Sequence, residues 1–266
     1  MGSSEKAGNR GFPGSPRDGA AVELVGLNRA VLKWLLEMNK SGHYPYDCIG
    51  DKITFAEWMK KIDQNFEQKF WVDEKSQELF VNRRNIYKDT VGSTFRWSDY
   101  QLRPNFLIAA VVAPELFNKH HIWKALSQVE HILVGKYGIK TLDPSDSNYV
   151  GDCHTDDDGW DFKRAKGQNY HNGPEWLWLM GFYLRAKLYW AQQMDREPET
   201  RGVLAQTIRH VREILLNHLE YLSNSEWNGL AQLTNENGSY CPHSCTVQAW
   251  SMSTMLEAEF DLDQLA

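Results

Sequence analysis

Residues 229–242 read GLAQLTNENGSYCP and have the character of a loop built to present side chains. Gly229 opens it, Asn237 and Gly238 make a turn signal, and Pro242 closes it ahead of a helix. A carboxylate would be the natural cargo of such a loop. Position 232 instead holds Gln232, which offers one acceptor oxygen and two N–H donors but no basic site. Glu236 is the nearest acid, four residues on.

Three further stretches mix charge, amide and aromatic groups at close spacing. Residues 16–23, PRDGAAVE, gather Arg17, Asp18 and Glu23 at a helix start. A purely structural role is open to them: Asp18 as a cap and Glu23 at the positive helix end. Residues 97–105, WSDYQLRPN, place Trp97, Asp99, Arg103 and Asn105 beside one another. Two aromatic rings next to an acid and a base suggest a ligand contact, and Pro104 ties Arg103 to a helix entry. Residues 169–178, NYHNGPEWLW, supply Tyr170, His171, Asn172 and Glu175 for a polyol pocket. Trp176 or Trp178 would be the stacking platform there, unless the ring is core and His171 a loop histidine with its own partners.

Other chemistries fit poorly. Cys241-Pro-His-Ser-Cys245 crowds its soft ligands around a proline and has no evident fourth ligand for zinc. The acidic run from Asp152 to Asp158 lacks EF-hand spacing. There is no P-loop, dinucleotide fingerprint or GxSxG elbow, so neither a metal nor a cofactor is expected.

The bulk composition is that of a soluble globular chain, 42% hydrophobic and 24% charged over 266 residues. A net charge of −6 argues against nucleic acid but not against a neutral sugar. The chain holds 11 Trp, 11 Tyr and 11 Phe, whose flat amphipathic rings suit the apolar faces of sugars. Four cysteines are too few to staple a chain of this size, which points to reduced thiols and a cytosolic home. Residues 1–20 contain no signal-like apolar segment, and Lys6 stands where an acylation signal needs Ser or Thr. The richest apolar run, residues 176–190, is interrupted by Arg185 and Lys187, so no membrane span is expected.

The elements that must position these residues are helical. Residues 1–20 read as a loop or tail. Leu24, Leu27, Val31, Leu35 and Met38 form an apolar stripe ended by Gly42 and Pro45. Thr54 and Glu57 make a capping box for a second helix with Phe55, Trp58, Ile62, Phe66 and Phe70 facing in. A third helix runs from Pro104 to about Ala113. Asn118 caps a fourth, with Ile122, Leu126, Val129 and Leu133 inward. Residues 135–173 form a long connection of the kind that carries function. Helices follow over about 174–193, over 202–222 with Leu204, Ile208, Val211, Leu215 and Leu219 on one face, and over 244–259. The expected fold is all-α, with helical hairpins joined by long loops that build the site.

Five segments carry a family resemblance: NRGFPGSPRDGAAVELVGL, YQLRPNFLIAAVVAPELF, KTLDP, NYHNGPEWLWLMGFYLRAKLY and LTNENGSYCPHSCTVQAWS. Together they resemble the C-terminal amylo-α-1,6-glucosidase region of animal-type glycogen debranching enzymes, over nearly the whole chain. The resemblance implies an (α/α)6 toroid, a six-hairpin glycosidase. It implies inverting hydrolysis of the single glucose left at a glycogen branch stub. Residues 21–262 would be a glucosidase-like domain lacking its N-terminal helices, because seven helices fall short of the six hairpins of a complete ring. Inversion needs one carboxyl to protonate the leaving oxygen and another to activate water. In the family the acid precedes the segment that matches Met1-Gly2, and the base is a Glu at the position of Gln232. The chain by itself is therefore expected to bind α-glucan through Arg17, Asp18, Glu23, Trp97, Asp99, Arg103, Asn105, Tyr170, His171, Glu175 and Trp176 while hydrolysing it weakly or not at all. Two alternatives are an active glucosidase using Glu236 as base, and a regulatory or structural pseudoenzyme whose open edge binds a protein partner.

Overall fold

The computed structural model describes residue 5, residues 13–50 and residues 52–265. Its helices are α1 Val22–Lys40, α2 Phe55–Phe70, α3 Arg96–Asp99, α4 Phe106–Val112, α5 Lys119–Gln128, α6 Lys166–Asn169, α7 Trp178–Met194, α8 Val203–Asn224 and α9 Ala249–Asp263. The strands are all two-residue pairings, so the class is all-α, as the periodicity predicts. Seven of the helices match the seven read from sequence, and α3 and α6 are single turns inside the loops. Most of the expected loop over residues 1–20 lies outside the described residues. Residues 13–19 are irregular yet packed, and the buried Ser15 hydroxyl donates to Asn172 Oδ1 at 2.8 Å.

Local signals act as written in two helices. In α2 the Thr54 hydroxyl accepts from the Glu57 N–H while the Glu57 carboxylate accepts from the Thr54 N–H, a complete capping box. Phe55, Phe66 and Phe70 are buried behind it. In α5 the Asn118 side chain accepts from the N–H groups of His120 and His121. Ile122 and Leu126 are buried there, and the helix continues as a π-turn that buries Val129 and Leu133.

Helix α1 corrects the reading. Leu24, Leu27 and Val31 of the expected inward stripe are exposed, and the buried residues are Val22, Gly26, Arg29 and Leu32. The reason is the partner. At Gly26 a Cβ would lie 2.5 Å from the Cβ of Ala109, so α1 lies against α4 through the one face that permits such an approach. Arg29 follows on that face and reaches Asp63 at 3.1 Å and Glu115 at 3.3 Å. In α8, likewise, Val211 is buried but Leu219 is exposed.

The central helix is α7. It is buried along most of its length and contacts α4, α5, α8 and α9. Lys187, on this helix, is buried with its ammonium 2.6 Å from Glu130 and 4.3 Å from the centre of the Trp123 ring. Among the described residues no helix is long and apolar enough to cross a membrane.

A three-stranded antiparallel sheet ties the site loops together. Ile139–Lys140 pairs with Glu175–Trp176, which pairs with Leu233–Thr234. Trp176 stands opposite both Ile139 and Leu233, and Glu175 opposite Lys140 and Thr234. The connection 135–173, the segment entering α7 and the loop before α9 therefore share one short ladder.

Candidate functional site

One cleft of about 670 Å³ lies where these loops meet the starts of α1, α7 and α9. Its first wall is ionic. The irregular segment before α1 brings Arg17 against the first turn of that helix. Its guanidinium nitrogens donate to both oxygens of Glu23 at 2.7 and 2.6 Å. The same guanidinium holds the buried carboxylate of Asp89, with its Nε on one oxygen and Nη2 on the other. Burial works against the Arg17 charge, but Asp89 and Glu23 outweigh it and raise its pKa further. Asn105, just ahead of α4, donates to Asp89 Oδ1 at 2.7 Å and so presents its own side chain to the cleft.

The second wall is aromatic. Tyr170, His171 and Trp176 form one cluster, with the His171 and Trp176 rings stacked at 5.2 Å and Tyr170 edge-on to both. The Trp176 indole N–H donates to the Tyr170 carbonyl at 3.1 Å. In the same lining Trp178 of α7 and Trp250 of α9 stack face to face at 3.9 Å, 14° from parallel. Trp250 is partly exposed, so this pair offers a flat apolar surface to the cleft.

His171 is held neutral. Burial is the main cause, with the positive charges of Arg103 and Arg17 adding to it, and its pKa is pushed down to about 3. An unfolded histidine takes up a proton below about pH 6.5 while the folded one does not, so stability falls as pH drops from there toward 3. In urea titrations the unaltered chain is expected to lose up to about 1.4 kcal/mol more per pH unit in this window than His171→Asn. Equal slopes for the two proteins would refute the assignment.

Gln232 completes the cleft. Its N–H donates to the Cys245 carbonyl at 2.9 Å and its carbonyl accepts from the Leu177 N–H at 3.2 Å. Its side chain shares the cleft lining with Tyr170. The turn behind it forms as its sequence predicts, with Asn237 and Gly238 both at positive φ, 61° and 72°.

The sequence-derived residues divide into two groups. The cleft unites Arg17, Glu23, Asn105, Tyr170, His171, Trp176 and Gln232. Six others lie outside it, each with partners of its own. Asp18 is exposed and accepts from Thr94. Trp97 tilts against Phe95. Asp99 is buried and accepts from Thr90, Gly92 and Ser93, which folds the loop around it. Arg103 is buried behind the cleft and donates to the carbonyls of Thr141 and His171 at 3.1 and 2.6 Å and to Asn172 at 2.7 Å. Glu175 has no exposed side chain and accepts from the N–H groups of Asn237 and Gly238 at 3.1 and 3.2 Å, so it braces the turn. Glu236 accepts from the Tyr149 hydroxyl at 3.0 Å. Conversely, Thr141, Gln248 and Trp250 line the cleft without having been singled out. Trp250 had a signal, a tryptophan at the start of a helix directly after the Gln232 loop.

The family described as amylo-alpha-1,6-glucosidase matches residues 2–257. The chain belongs to the amylo-alpha-1,6-glucosidase family. It is 39% identical to the glycogen debranching enzyme of Saccharomyces cerevisiae over 98% of its own length. It spans 18% of the length of that relative. Within an amylo-alpha-1,6-glucosidase frame the chemistry at hand is specific. Among the described residues the cleft lining contains one carboxylate, Glu23, and that carboxylate is held on both oxygens by Arg17.

Proposed function

We propose that this chain forms an α-glucan-binding site of the glycogen-debranching type, which holds a branch-stub glucose in the cleft without itself supplying the proton transfers of hydrolysis. The observation that carries the binding is the stacked Trp178–Trp250 pair in one cavity lining with the hydrogen-bonding groups of Arg17, Asn105 and Gln232. A pyranose has two apolar faces and a rim of hydroxyls. The indole pair suits a face, and the amides and guanidinium suit the rim. A neutral His171 adds a hydrogen-bonding ring without a charge. Family membership favours an (α/α)6 arrangement of the helices and glycogen or its limit dextrin as the ligand, and the sparse cysteines favour the cytoplasm.

Two carboxyls on opposite sides of the glycosidic bond would be needed for inversion, with room for a water between one of them and the sugar. Gln232 can hold such a water by accepting from it but cannot remove its proton. Loss of a general base alone typically costs on the order of 10² to 10⁴ in rate. Glu23 is committed to Arg17, and Glu236 faces Tyr149 rather than the cleft. The silent reading is therefore favoured over an active enzyme that uses Glu236.

Glycogen co-sedimentation and calorimetry with a maltooligosaccharide test the binding. Trp250→Ala is expected to weaken it about tenfold, the value of one good aromatic platform. A folded chain that sediments no glycogen would remove the sugar-binding claim. For the chemistry, Gln232→Glu in the 266-residue chain is expected to leave glucose release from a branched limit dextrin at background. Substantial release after that single change would show that another residue already delivers the proton.

A further inference from the structure

Behind the strand that carries Gln232 lies a second concavity, of about 460 Å³. In an extended segment, successive residues point to opposite sides. Gln232 lines the front cleft, and its neighbours Ala231 and Leu233 line the rear groove. The far wall is the end of α8 and the segment after it, with Glu220, Tyr221, Asn224 and Trp227. Tyr137 and Tyr240 close the sides.

The lining is not that of an unfilled core. Trp227 and Tyr240 are each 70% exposed, so their rings are spent on the surface rather than on packing. Tyr137 and Tyr221 meet edge-on at 4.9 Å, so each ring braces the other. Glu220 and Glu226 bring carboxylate groups, and Asn224 an amide, to the same lining. Rings interleaved with hydrogen-bonding groups match a polyol with apolar faces, and the carboxylates disfavour phosphate or nucleic acid.

We propose that this rear groove is a second α-glucan subsite, with Trp227 and Tyr240 as its platforms. It would take a linear stretch of α-glucan, and it rests on the reading that the chain binds α-glucan at all. One function follows from the shared strand. A polymer held behind residues 231–234 would keep the chain on the glycogen particle while the front cleft samples branch stubs, adding avidity without a new front contact.

The test uses the full chain labelled with 5-fluorotryptophan, with the Trp227 and Trp250 resonances assigned by Trp227→Phe and Trp250→Phe. Maltoheptaose is titrated and each resonance followed. Both are expected to move, and Trp227→Ala with Tyr240→Ala is expected to weaken glycogen binding roughly fivefold to tenfold while the Trp250 response is kept. A Trp227 resonance that stays fixed when Trp250 is saturated overturns the rear subsite and leaves the front cleft standing. Movement of Trp227 alone supports the groove and removes the front reading. If neither moves, both are overturned.

Discussion

Arg17→Met is expected to destabilise the protein by about 3–5 kcal/mol, and to abolish glucan binding where the chain still folds. Among the described residues Arg17 links the segment before α1 to two acids, Glu23 on the first turn of α1 and Asp89 in the loop ahead of α3. The Asp89 side chain has no solvent exposure. Without Arg17 it keeps Asn105 at 2.7 Å and the more distant guanidinium of Arg103 at 3.8 Å. Neither replaces two direct guanidinium contacts, and an uncompensated buried carboxylate is costly. Methionine retains most of the volume, so the loss reports charge and hydrogen bonding rather than a cavity. Arg17→Lys keeps the charge but has three donors on one nitrogen and cannot make paired contacts to each carboxylate, so it is expected to fall between. Urea denaturation of the three proteins measures the effect. If Arg17→Met unfolds within 1 kcal/mol of the unaltered chain, on the scale of a surface pair, the ionic wall is not what holds the cleft.

Gly181→Ala is expected to cost about 3 kcal/mol, the upper end for overpacking, and to weaken glucan binding along with it. An added Cβ would lie 2.2 Å from the Thr254 carbonyl oxygen and 2.4 Å from its carbon. These are backbone atoms of α9, so no side-chain rotation relieves the clash and the helix itself must move. Thr254 also donates its hydroxyl to the Trp178 carbonyl at 2.9 Å, across the same crossing. Moving α9 therefore carries Trp250 away from Trp178. Thermal unfolding followed by circular dichroism gives the stability, and maltooligosaccharide calorimetry gives the affinity. Unchanged melting would mean that α7 and α9 are packed less closely than this geometry requires.

The Arg17–Asp89 and Gly181–Thr254 contacts join segments distant in the chain, which sequence patterns do not reveal. Helices α2 and α5 were legible because their signals are local. A capping box and an Asx cap act within four residues, and the inward stripes follow from helix geometry alone. The Asn237-Gly238 turn was legible for the same reason, since positive φ is a property of those residues themselves. So was the chemical anomaly at position 232, because an amide cannot act as a base in any fold.

Which of these groups line the cleft is settled by contacts between distant segments. Asp99, Arg103 and Glu175 have the right chemistry for a polyol site, yet each is taken up by backbone or amide groups around it. Glu175 is braced by N–H groups 62 and 63 residues away in sequence, and Arg103 by a carbonyl 68 residues away. No spacing rule sees such partners. Trp250 joins Trp178 because α9 crosses α7 at a glycine, and α1 turns its leucines outward because Gly26 meets Ala109. The sequence by itself determined the all-α class, the family and the residue types available for chemistry, because these depend on side-chain identity and short-range geometry. The assembled fold alone decided which of those residues share a cleft, because burial and hydrogen-bond partners are set by segments that are distant in the chain.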